Sequence, residues 1–70
     1  MTYTVYYRDG EGCTYALAEE FNPSHAISTA LDNARTYDAE EIYVEDENGT
    51  VVFQCYPDGD NIVVPRNFTL

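Results

Sequence analysis

Seventy residues and 7.9 kDa allow one small domain, spanning 1–70. Thirteen acids stand against three arginines, a net charge of −10, while hydrophobic residues make up 44% and aromatics 14% of the chain. This composition excludes a two-domain enzyme, a membrane-spanning chain, a disordered acidic tail and a protein that grips nucleic acid through its own basic surface.

In chain order, Thr2-Tyr3-Thr4-Val5-Tyr6-Tyr7 is rich in β-branched and aromatic residues and predicts a strand over 1–7. The glycines of Asp9-Gly10-Glu11-Gly12 supply a turn. A second strand from Cys13 to about Phe21 completes a hairpin. Asn22-Pro23 opens a helix, asparagine as N-cap and proline at the first helical position, where its missing N–H costs no bond. Ala26, Ile27, Ala30, Leu31, Ala34 and Tyr37 then share one face at the 3.6-residue period, opposite His25, Thr29, Asp32 and Thr36. Glu41 to Asp46 predicts a third strand, Asp46-Glu47-Asn48-Gly49 a hairpin turn, and Thr50 to Tyr56 a fourth strand. Pro57-Asp58-Gly59-Asp60 reads as another turn, and Ile62-Val63-Val64 as a short fifth strand that Pro65 ends or holds at an edge. The expected fold class is α+β: an antiparallel four- to five-stranded sheet with one helix on one face, β-β-α-β-β-(β).

A single helix covers one face of such a sheet and leaves the other open. Alternation assigns Tyr3 or Val5, Leu17, Ile42, Val44, Val51 and Phe53 to the covered side, against Ile27, Ala30, Leu31 and Ala34. It assigns Thr4, Tyr6, Thr14, Glu20, Tyr43, Glu45, Glu47, Gln54 and Tyr56 to the open side. Tyrosines among carboxylates suit recognition, because tyrosine supplies large contact area at low entropic cost.

Catalytic and metal chemistry find little footing. One histidine and two distant cysteines, Cys13 and Cys55, do not make a zinc site, and the thiols are expected to be free, with a disulfide as the alternative. The acidic turns at 46–49 and 58–61 do not continue into a calcium-loop pattern. Ser24 and His25 are helix neighbours that diverge by about 100° and cannot form a dyad. Gly10 and Gly12 open a hairpin rather than a phosphate-binding helix. The expectation is a protein that is not an enzyme and uses no cofactor and no metal. With no apolar run near membrane length and no basic leader before one, the expected location is the cytoplasm.

The acids are unevenly placed. Residues 1–35 carry five acids and two arginines, and residues 36–70 eight acids and one arginine. Six acids fall between Asp38 and Glu47: Asp38, Glu40, Glu41, Glu45, Asp46 and Glu47. On a continuous strand, Glu45 and Glu47 would project from one side about 6.7 Å apart and engage lysines or arginines built to hold a phosphate backbone. The candidate partner-binding set is therefore Asp38, Glu40, Glu41, Glu45, Asp46 and Glu47, with Tyr43 and Tyr56 as anchors.

The acidic cluster Asp38–Glu47, the tyrosine-bearing strands, the size and the element order together resemble the small phage-encoded anti-CRISPR inhibitors of the DNA-mimic type. That resemblance implies a protein that binds a CRISPR effector in the host cytoplasm and blocks target DNA without cofactor or catalysis. The expected partner is a basic nucleic-acid-binding protein or complex, with neither nucleic acid nor membrane bound directly, and the chain a monomer or weak homodimer. Two alternatives stand beside it. One is a domain that self-associates through its open face or through the edge near Val63. The other is a salt-adapted domain whose acids serve only solubility.

Overall fold

The computed structural model describes residues 1–36 and 39–65. Strands β1 (Tyr3–Arg8) and β2 (Thr14–Glu20) form the first hairpin, helix α1 (Pro23–Thr36) crosses the sheet, and β3 (Glu41–Glu45), β4 (Val51–Asp58) and β5 (Asn61–Val63) complete a five-stranded antiparallel sheet. The order β2-β1-β3-β4-β5 makes β1 and β3 neighbours, so the two halves of the chain join at the middle of the sheet. The expected α+β fold with one helix on one face is the fold observed.

Local chemistry explains each boundary. Asn22 Oδ1 accepts a bond from the Ser24 N–H at 2.8 Å and the Asn22 carbonyl one from Ala26 at 3.0 Å, so the cap holds the first turn. The turns of the two longer hairpins are built alike. In each, an aspartate (Asp9 or Asp46) accepts two backbone N–H bonds at 2.9–3.0 Å through Oδ1, and a glycine three residues on takes positive φ, Gly12 at 89° and Gly49 at 80°. Pro57 and Asp58, expected in a turn, instead extend β4. Pro57 lies beyond the last β3–β4 pair, Ile42 with Cys55, so no third strand asks for its missing N–H. The β4–β5 turn then shrinks to Gly59-Asp60, with Gly59 at φ 62°.

The core lies between α1 and one sheet face. Val5, Ile42, Val44 and Cys55 are fully buried, with Phe53 and Ala39 close behind. The helix meets them with Ala26, Ala30 and Ala34, one residue per turn, while Ile27 and Leu31 pack at the flanks. Small side chains let the helix backbone lie close to the sheet, close enough that the Cys55 thiol approaches the Ala30 carbonyl at 3.9 Å. Tyr37, expected on this helix face, and Asp38 lie outside the described residues.

Two bulges overturn parts of the face assignment. Opposite Val5 and Tyr6, β2 carries the extra residue Leu17, and opposite Val44 and Glu45, β4 carries Val52. Each extra residue slips the two-residue alternation by one. Glu20, expected on the open side, therefore sits across from Tyr3 and accepts a bond from the Thr29 hydroxyl of the helix at 3.4 Å. Val51, expected in the core, sits across from Glu45 on the open side and is 37% exposed.

Candidate functional site

The uncovered face is ordered in three rows running across the strands. In the central row Ala16, Tyr6, Tyr43 and Gln54 stand side by side, and the rings of Tyr6 and Tyr43 stack with centroids 5.3 Å apart. Toward one end of the sheet lies a row of Glu19, Thr4, Glu45 and Val51. Toward the other lies a row of Thr14, Arg8 and Glu41, with Tyr56 and Val63 further along.

The flanking rows differ electrostatically. Glu41 is satisfied: Oε1 lies 3.4 Å from Arg8 Nε, and Oε2 accepts a bond from Gln54 Nε2 at 2.7 Å. Glu19 and Glu45 have no hydrogen-bond or ion-pair partner among the described residues. Neighbouring strands lie about 4.8 Å apart, so Glu19 and Glu45, flanking Thr4, bracket a gap of roughly 10 Å. One row is neutralised by the chain itself and the other carries two open negative charges beside an aromatic ledge.

The expected site residues divide accordingly. Glu41, Tyr43, Glu45 and Tyr56 come together on this face. Glu40 is exposed just before β3, with its N–H donating to the Arg8 carbonyl at 2.8 Å. Asp46 spends one carboxylate oxygen on the N–H groups of Asn48 and Thr50. Glu47 does not extend a ladder from Glu45, because β3 ends at Glu45 and Glu47 lies in the turn; its Oε1 accepts the Thr2 N–H at 2.6 Å. Asp38 lies outside the described residues. Sequence reasoning missed Glu19, which only the Leu17 bulge turns outward, and Arg8, whose pairing with Glu41 depends on the non-local β1–β3 register. It left Tyr6 out of the site although alternation had placed it on the correct face.

A second stacked pair, Tyr7 and Tyr15 at 5.0 Å, lies on the helix side where α1 leaves the β1–β2 edge open. Cys13, and after it Asp9, hold the Tyr15 hydroxyl above its ordinary pKa of 10.0. Both cysteines are free, Cys13 exposed and Cys55 buried, and burial pushes the Cys55 thiol up to about 11. Among the described residues there is no concave pocket, no group of three metal-ligating side chains, and no helix long and apolar enough to cross a membrane.

No protein-family model, curated protein or solved structure matches this chain. The reading of the site therefore rests on its own geometry.

Proposed function

We propose that this protein is an acidic binding protein that docks its uncovered sheet face onto a basic, nucleic-acid-binding surface of another protein and keeps nucleic acid off it. The observation that carries this reading is the pairing of Glu19 and Glu45, without partners of their own among the described residues, with the Tyr6–Tyr43 stack beside them. Carboxylates steer the approach of a cationic groove and set its salt dependence. The rings supply contact area that becomes dry on binding, which charge alone does not give. Given the resemblance in size, charge and element order, the partner is a CRISPR effector in the cytoplasm and the protein is an anti-CRISPR inhibitor.

The test is affinity capture from a CRISPR-bearing lysate at low salt, followed by elution with duplex DNA and measurement of DNA binding by the captured complex. The reading expects DNA to displace the protein, and Glu45→Lys to capture nothing. Capture that resists DNA, or that survives Glu45→Lys at low salt, contradicts it.

A further inference from the structure

We infer that the span between Glu19 and Glu45, over Thr4 and beside the Tyr6–Tyr43 stack, takes an arginine side chain of the partner in preference to a lysine. The inference rests on the proposed docking of this face and names the group that the face is shaped to receive.

The chain supplies its own template. Along β1 and β3 the rows are spaced by two residues, about 6.7 Å, with the ring row in the middle. On one side of the rings, Arg8 brings a guanidinium to the carboxylate of Glu41. On the other side, at the equivalent two-residue step, the same pair of strands presents Thr4 and Glu45, a carboxylate with no ion-pair partner among the described residues. The face therefore repeats the carboxylate of the Arg8–Glu41 pair at Glu45, with no guanidinium beside it among the described residues. Glu19 adds a further carboxylate on the far side of Thr4, so a planar group entering the gap meets acceptors on both flanks.

The preference for arginine follows from shape and hydration. A guanidinium is planar and weakly hydrated, stacks on an aromatic face, and presents donors along two edges at once. An ammonium is a compact, strongly hydrated point charge that gains little from a ring stack and can satisfy only one flank closely. The charge balance of the face among the described residues, with Glu19, Glu41 and Glu45 against Arg8, favours an added cation. The short side chains of Thr4 and Ala16 leave room for it over β1 and β2.

Titration of the intact protein with hexa-arginine and with hexa-lysine, followed by amide and aromatic-ring NMR, tests this. Hexa-arginine is expected to bind about tenfold more tightly than hexa-lysine at equal salt, shifting Tyr6, Tyr43, Glu19 and Glu45 most. Tyr43→Leu and Glu45→Gln should each bring the ratio of the two affinities to within about twofold. Tyr6→Leu repeats the ring test should Tyr43→Leu fold poorly. Equal affinity of the two peptides on this face, or a ratio that survives loss of the ring stack, overturns the arginine assignment and leaves the docking face standing. Shifts centred elsewhere on the molecule overturn both.

Discussion

The two faces of one sheet carry the same kinds of strand and reach opposite results. On the covered face, Val5, Ile42, Val44, Phe53 and Cys55 meet an alanine stripe, and the charged group placed nearest, Glu20, is bonded by a helix threonine. On the uncovered face the positions between them hold Tyr6, Tyr43, Glu41, Glu45 and Glu19. Each face also bears a stacked tyrosine pair with rings inclined by 24°. The pair at Tyr7 and Tyr15 joins a ring packed against the core, Tyr7, to one that is 46% exposed at the β2 edge. The pair at Tyr6 and Tyr43 stands between a neutralised row and a charged one. The two pairs share their ring geometry and differ in what surrounds them.

The comparison breaks most sharply at two residues of the one strand β3. Ile42→Ala, which empties a fully buried position, should cost about 2–5 kcal/mol in denaturant unfolding. Glu45→Lys, three residues on but on the open face and without a partner among the described residues, should change stability by no more than about 0.5 kcal/mol. Comparable losses from both substitutions would mean the two faces are not energetically distinct.

The difference between wild type and Cys55→Val in alkali isolates one group of the covered face. The folded Cys55 thiol titrates near 11 against an ordinary 9.0, so its raised value favours the neutral form in the folded state. Its contribution is present in full below pH 9 and fades as pH rises through 11. The loss should reach on the order of 2 kcal/mol by the upper value. Comparing wild type with Cys55→Val across this window should show the wild type falling more steeply. Parallel pH profiles would show that the thiol is hydrated in the folded state.

A smaller effect tests the turns that set the two hairpins. A methyl group added at Gly12 or Gly49 meets no atom within 4 Å, so Gly12→Ala and Gly49→Ala strain only the backbone at positive φ. Each should cost about 1–2 kcal/mol, and the two costs should match because the turns share one hydrogen-bond pattern. Unequal costs would show that one hairpin depends on its turn more than the other.

The element order, the helix cap, the alanine stripe and three turn glycines were legible because each depends on residues close in sequence. Tyr43 and Glu45 were placed correctly by simple alternation. Glu20, Val51 and Glu19 were not, because one inserted residue in each of β2 and β4 puts the side chains on its two sides out of step with a single alternation, and nothing in Ala16-Leu17-Ala18 or Val51-Val52-Phe53 marks the insertion. The site also shifted in kind. A run of acids from Asp38 to Glu47 resolves, among the described residues, into turn-forming Asp46, tethered Glu47, and a face assembled from β1, β2 and β3. Such a face depends on strand register, which a linear charge count does not contain.

The central claim is that the placed carboxylates, and not the overall charge, recognise a basic surface. The direct measurement is the dissociation constant of the DNA-displaceable partner for wild type, Glu45→Lys and Glu11→Lys at low salt. Both variants change the net charge equally, but Glu11 is exposed at the tip of the β1–β2 turn, away from the ring row. The account predicts a loss of at least about 30-fold for Glu45→Lys and no more than about threefold for Glu11→Lys. Equal losses for the two, or none for Glu45→Lys, would contradict it.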